Sequence, residues 1–180
     1  SFFSNPDQSE IGVYDLSNSM VSRLTNDLLL DKNPAVSPTG DVVLWEKCES
    51  KGVGCDIYAA TRTESGTFTI SALTNTFGED VRPQTDGRIA VYQSNRYGDY
   101  DIYFQPVTGG LETRLAIPGE QRSANIAGNL ITFESEMKTE DGTNFDVFVY
   151  DITGGRLYRV TNTLASETLN RLTMINGLAR

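Results

Sequence analysis

The apolar residues of this chain fall in short runs with no helical spacing. Val42-Val43-Leu44-Trp45, Ile89-Ala90-Val91-Tyr92 and Leu130-Ile131-Thr132-Phe133 are β-branched and aliphatic, each closes on an aromatic, and each is bounded by Gly, Asp, Asn or Ser. Runs of four with such boundaries predict strands, and no segment carries a 3.6-residue period long enough for an amphipathic helix. The pairs Thr39-Gly40, Asp86-Gly87, Ala127-Gly128 and Asn176-Gly177, with Gly109-Gly110 and Gly154-Gly155, supply the positive φ that tight hairpin turns need.

The runs repeat in register with other marks. Asp56-Ile57-Tyr58, Asp101-Ile102-Tyr103 and Asp146-Val147-Phe148 are spaced by two steps of 45 residues, and Glu10-Ile11-Gly12 is a fainter copy 46 residues before the first. Five residues after Gly40, Gly87 and Gly128 come Trp45, Tyr92 and Phe133. An aliphatic-Thr-Asn step follows at Leu24-Thr25-Asn26, Leu73-Thr74-Asn75 and Val160-Thr161-Asn162, whereas the unit between the last two reads Leu115-Ala116-Ile117-Pro118. A period in this range marks an array of small units. Each unit reads as a short strand after Pro34 or Pro83, a strand ending in the aromatic, a polar loop, a strand on Asp-Ile-Tyr, and a strand ending in Leu-Thr.

Four antiparallel strands repeated in tandem predict an all-β fold, a β-propeller of four-stranded blades. Full blades are expected at about 33–74, 82–116 and 123–161, with half blades at about 10–25 and 170–180, all in one domain. Residues 10–25 supply the last two strands of a blade and 170–180 only a first strand and the start of a second, which predicts a piece of a larger ring of six to eight blades. Self-association is another way to complete such a ring.

Pro34-Ala35-Val36-Ser37-Pro38-Thr39-Gly40-Asp41, the aromatic-ended second strand, Asp-Ile-Tyr and Leu-Thr-Asn together resemble the WD-repeat-like propeller repeat of the TolB family, also found in propeller domains of some serine peptidases. The resemblance spans nearly the whole chain and implies a scaffold that binds proteins and carries no cofactor. It leaves function open, because this repeat serves many proteins.

Charge narrows the partners. Fifteen Lys and Arg against 24 Asp and Glu leave a net charge of −9, the wrong sign for following a nucleic-acid backbone. No apolar run approaches a membrane span. The chain contains no histidine, which removes Ser-His-Asp, Cys-His and HExxH chemistry from these residues. No phosphate-cradling glycine loop occurs, and no metal site is predicted. Cys48 and Cys55 flank a loop between the second and third strands of one unit. They are either a disulfide across a hairpin, which suits a periplasmic or extracellular protein, or two reduced thiols.

Asp56, Asp101 and Asp146 recur at one place per unit, so a structural role is expected, bonding backbone donors at the start of a strand. Trp45, Tyr92 and Phe133 are expected to pack between blades. Strand direction puts the loop between strands two and three, and the link between blades, on one face, with the Gly turns on the other. That long-loop face reads as net acidic and offers Glu49, Glu79, Asp80, Arg96, Tyr97, Asp99, Tyr100, Glu140 and Asp141 to a partner, expected to be a protein bearing basic residues. The function expected is a non-enzymatic scaffold for protein–protein interaction. Two alternatives stand beside it: the propeller module of a larger enzyme, a serine peptidase or polysaccharide lyase with its catalytic residues elsewhere, and a propeller that binds carbohydrate or calcium.

Overall fold

A computed structural model describes residues 9–49 in full, the backbone of Ser50, residues 53–168, and the backbone of two short strands near the C-terminus. The chain is a succession of antiparallel meanders. A hairpin of β1 (Gly12–Asp15) and β2 (Met20–Arg23) comes first. The first full sheet holds β3 (Leu30–Val36), β4 (Val42–Ser50), β5 (Val53–Arg62) and β6 (Phe68–Ala72). The second holds β7 (Asp80–Thr85), β8 (Ile89–Ser94), β9 (Asp101–Pro106) and β10 (Thr113–Leu115). The third holds β11 (Gln121–Ala127), β12 (Leu130–Thr139), β13 (Gly142–Asp151) and β14 (Arg156–Arg159). A last hairpin pairs β15 (Met174–Ile175) with β16 (Leu178–Ala179); its expected Asn176-Gly177 turn lies outside the described residues. No helix among the described residues is long and apolar enough to cross a membrane.

The first and second full sheets are covered on both faces, which is why their second strands are unbroken apolar runs and not alternating ones. Val43, Trp45 and Ala60 pack with Ile11 of the first hairpin segment. Leu44, Ile57 and Ala59 face the second sheet, where Ala90, Tyr92 and Tyr103 meet them. Val91, Ile102 and Phe104 face the third, against Ala124, Ile126, Ile131, Phe133 and Phe148. Trp45, Tyr92 and Phe133 are fully buried. Each lies opposite an aromatic of the next strand, Tyr58, Tyr103 and Phe148, with ring centroids 6.0, 6.1 and 5.8 Å apart. The polar ends find partners: Trp45 Nε1 donates to Asp31 Oδ1 at 2.8 Å, and the Tyr92 hydroxyl donates to Glu112.

Each innermost strand starts ahead of the position expected for it and carries a bulge. Asn33, Arg82 and Ser123 adopt φ of 51, 53 and 56° where the pairing register shifts. Pro34 and Pro83 follow that bulge directly, where a missing N–H costs no ladder bond, so pairing resumes beyond them. At Arg82 and Ser123 the left-handed backbone is held from the preceding blade, while at Asn33 the side-chain amide is held from the next strand of the same blade. Glu46 accepts the Asn33 amide at 2.8 Å and, across the blade boundary, the Arg82 N–H at 2.7 Å. Gln93 accepts the Ser123 N–H at 3.1 Å in the same manner one blade on.

Between strands two and three the expected polar loop exists only in the second sheet, over residues 95–100. In the first and third sheets the ladder continues outward, to the pairs Ser50↔Val53 and Thr139↔Gly142. Cys48 and Cys55 are directly paired there and joined as a disulfide, S–S 2.10 Å.

Candidate functional site

The acid that heads each repeated triplet is bonded to residues on or just after the fourth strand of its own unit. Glu10 Oε1 pairs with Arg23 at 3.0 Å and accepts the Asp27 N–H at 3.1 Å. Asp101 Oδ2 takes Arg114 Nε at 2.9 Å and Nη2 at 2.7 Å. Asp146 takes Arg159 Nε at 3.1 Å and the Thr161 hydroxyl at 3.0 Å. The expectation of backbone donors at the strand start therefore fails for Asp101 and Asp146, where guanidinium groups from the outer strand do the work. Asp56 differs again: among the described residues its donors are the Thr74 hydroxyl at 3.1 Å and the Thr76 N–H at 3.2 Å, with no cation among them.

The Thr of the Leu-Thr-Asn step has one job in three units. Its hydroxyl accepts the N–H that follows the acid: Thr25 from Ile11 at 2.8 Å, Thr74 from Ile57 at 2.9 Å, Thr161 from Val147 at 2.9 Å. This bond fastens the outermost strand beyond the end of its ladder, and Ala116 has no hydroxyl to make it.

The face formed by the long loops differs from its sequence reading. Asp80 is fully buried on β7, where Arg96 Nη2 holds it at 3.0 Å, and Arg96 is nearly enclosed as well. Arg96 Nη1 also reaches Glu112 at 2.7 Å, and its guanidinium lies 4.3 Å from the Tyr103 ring centroid. Burial alone would loosen the Arg96 proton; the charges and hydrogen bonds of Asp80 and Glu112 outweigh it and hold the guanidinium more firmly charged. Asp80 and Arg96 are thus an internal pair and not partner contacts. Asp31 and Glu46 are equally buried and add no acidic group to the surface of this face. Glu79 is half-buried and accepts the Gly54 N–H at 2.7 Å, tying the first sheet's outer hairpin to the link between blades. Exposed on this face are Glu49, Tyr97, Asp99, Glu140 and Asp141, with Tyr100 half-buried.

One exposed set escaped the sequence reading. Leu28 and Phe77 stand three residues after Thr25 and Thr74 and three before the buried Asp31 and Asp80, and they are 82 and 94% exposed. Pro118 stands three before the buried Gln121 and is exposed. Leu164, three after Thr161, is 87% exposed. All four lie on links leading out of a fourth strand, so strand direction puts them on the long-loop face. The shared offset was visible in the sequence; their exposure was not. After two of them the chain turns on a glycine, and a Cβ on Gly78 would come within 2.9 Å of Asn95 Oδ1, and one on Gly119 within 3.1 Å of Glu136 Oε2. Both have positive φ, so the links are pinned against the next blade while the apolar side chains stay outside.

Where the second and third sheets meet, a cavity of about 410 Å³ is lined by Arg82, Gln93, Tyr100, Glu120, Arg122 and Glu134, among others. Arg122 Nε pairs with Glu134 at 2.7 Å, and the guanidinium lies 3.6 Å from the Phe145 ring centroid. The lining is charge-balanced. Glu46, Cys48 and Cys55 place potential ligand atoms within 4.8 Å of one another, but the two sulfurs are bonded to each other and present no thiolate to a metal.

Four-stranded meanders stacked face to face, each with a bulged innermost strand, are the blades of a β-propeller. No family model matches the chain, and no curated protein sequence does. Solved structures match it. TolB from Acinetobacter baumannii superposes with a TM-score of 0.60 at 24% identity, over 88% of this chain and 39% of that one. The β-propeller domain of the Trilobed protease from Pyrococcus furiosus gives 0.61 at 12% identity, over 85% and 48%. A chain of the nidogen/laminin complex gives 0.61 at 12%, over 94% and 64%. The fold is that of a TolB-like β-propeller, and the chain spans less than two thirds of each of these structures.

Proposed function

We propose that this chain is part of a larger propeller ring that works as a non-enzymatic docking scaffold, taking a protein partner on its long-loop face. The observation that carries this is the repeated exposure of Leu28, Phe77 and Leu164 on equivalent links, beside the exposed ring of Tyr97. Apolar side chains exposed at one fixed offset on several links are costly to keep in water, and interfaces are where such groups are used. Glu49, Asp99, Glu140 and Asp141 are exposed on loops of the same face, and their negative charge favours a partner with basic residues and steers its approach. Without histidine, these residues hold no histidine-based nucleophile–base pair. The disulfide fits a periplasmic or extracellular setting.

The deciding experiment is capture. A tagged chain carrying Leu28→Ser and Phe77→Ser should lose the partner that the unaltered chain retains from an extract of its own cells, while Glu64→Lys on the Gly-turn face should keep it. Equal losses from both faces overturn the reading. The alternative of a propeller module within a larger enzyme takes support from the shared fold with the Trilobed protease domain; it predicts that the captured or covalently continuous partner carries a hydrolase centre.

A further inference from the structure

The units can be superposed by their strand register, and one of them lacks a side chain that the others have. Opposite Gly12 stands Arg23, opposite Tyr103 stands Arg114, and opposite Phe148 stands Arg159. The corresponding pair in the first full blade is Tyr58↔Ala72. Each of the three arginines reaches the acid two residues before its cross-strand partner: Glu10, Asp101 and Asp146. Two of them use a second acceptor as well, Arg23 Nε donating to the Thr25 carbonyl at 2.7 Å and Arg159 Nε to the Thr161 carbonyl at 3.0 Å. In the first full blade the acid is Asp56 and the carbonyl is that of Thr74. The remaining parts are present: the Thr74 hydroxyl bonds Asp56 as Thr161 bonds Asp146, and the Thr76 N–H bonds Asp56 as the Asp27 N–H bonds Glu10.

Ala72 leaves a cavity of about 220 Å³ bordered by Asp56, Glu49, Tyr58, Thr74 and Asn75. Lys47 also borders it, but its ammonium is engaged by Asp27 and Asp31 and lies over the Tyr58 ring, 5.2 Å from the centroid. The cavity includes Leu29 and Asn75 of the links on either side of the blade, between the exposed Leu28 and Phe77.

We infer that this cavity receives the guanidinium of an arginine from the docking partner, which takes the place that Arg23, Arg114 and Arg159 fill in the other units. The inference rests on the long-loop face being the docking surface and names the group recognised there. A guanidinium suits the site better than an ammonium, because its planar fork can donate to the Asp56 carboxylate and the Thr74 carbonyl together, as the arginines of the neighbouring units do. The partner's apolar residues flanking that arginine would meet Leu28 and Phe77.

The test uses a small probe, so that it reads the cavity and not the whole docking face. N-acetyl-arginine-methylamide is titrated into the chain while the backbone amides of Ala72, Thr74 and Thr76 are followed by NMR, with the lysine and citrulline analogues run in parallel. Saturable shifts are expected at these amides with the arginine probe, with binding at least about tenfold weaker for neutral citrulline, the size of one lost charge-assisted hydrogen bond. Ala72→Arg should abolish the shifts and raise the melting temperature, because it rebuilds the internal pair; Asp56→Asn should weaken the probe to the level of citrulline. Absence of saturable shifts, equal binding of arginine and citrulline probes, or a destabilised Ala72→Arg chain overturns the inference. Probe binding that survives Leu28→Ser and Phe77→Ser while partner capture is lost separates the cavity from the docking face, and a failed probe with intact capture rejects the cavity alone.

Discussion

The carboxylate of Glu46 accepts the backbone N–H of Arg82 at 2.7 Å across the boundary between the first and second full blades. Arg82 has a left-handed backbone without being glycine, so this bond holds a strained residue and joins two blades at once. Gln93 repeats it onto Ser123, which shows that the task needs an oxygen acceptor and not a negative charge.

Glu46→Ala should therefore destabilise the chain by about 2–3 kcal/mol, the cost of leaving buried donors of Asn33 and Arg82 without an acceptor. Glu46→Gln should cost less than about 1 kcal/mol, because the amide oxygen remains. Urea unfolding of the two variants separates the two sizes; equal losses would mean that the Lys32–Glu46 pair, at 3.5 Å, carries the effect.

Reversing charges on the long-loop face should split by burial. Asp80→Lys places an ammonium against Arg96 in a closed site and should cost about 3–5 kcal/mol, as for a broken buried pair. Glu140→Lys with Asp141→Lys, at an exposed hairpin tip, should change stability by less than about 0.5 kcal/mol. Thermal melts of both variants decide this, and a tolerated Asp80→Lys would place that side chain at the surface.

The aromatic repeat offers a graded comparison. Phe133→Ala removes a fully buried ring between the second and third blades and should cost about 3–5 kcal/mol. Tyr92→Phe keeps the ring and removes only the hydroxyl shared by Glu112 and Gln105, so about 1–2 kcal/mol is expected. Denaturant midpoints at constant slope are the measurement.

Asp56 predicts a pH effect of definite sign. Burial pushes its carboxyl up, the hydrogen bonds from Thr76 and Thr74 offset this only in part, and the charges of Asp80 and Glu49 add to the rise. An acid whose folded value lies above its unfolded one binds its proton more tightly when folded. Its stabilising contribution is full below the unfolded value and is lost as pH rises through the folded one. Relative to Asp56→Asn, the unaltered chain should gain stability as pH falls from neutrality toward the ordinary carboxylate range; a relative loss over that window would mean that a cation already neutralises the site.

Much of this architecture was legible in the residues themselves. Strand chemistry in Val42–Trp45, Ile89–Tyr92 and Leu130–Phe133, glycine turns at fixed offsets and the 45-residue spacing of Asp56, Asp101 and Asp146 are local or periodic properties, and they determined an all-β array of four-stranded blades. Cys48 and Cys55 read from the sequence as a disulfide across a hairpin or as two reduced thiols, and their direct pairing in the folded hairpin decides for the bridge. The tertiary structure decided which polar residues face water. Asp80 and Glu79 are sequence neighbours, yet Asp80, the first residue of β7, is sealed against Arg96 of its own blade, while Glu79 on the link before it is half-buried and accepts the Gly54 N–H of the preceding blade, a division set by tertiary packing alone. Leu28 and Phe77 likewise read as ordinary apolar residues, because only the path of the links between blades leaves them outside, and the arginine lacking beside Asp56 is visible only because Ala72 takes the register position of Arg23, Arg114 and Arg159.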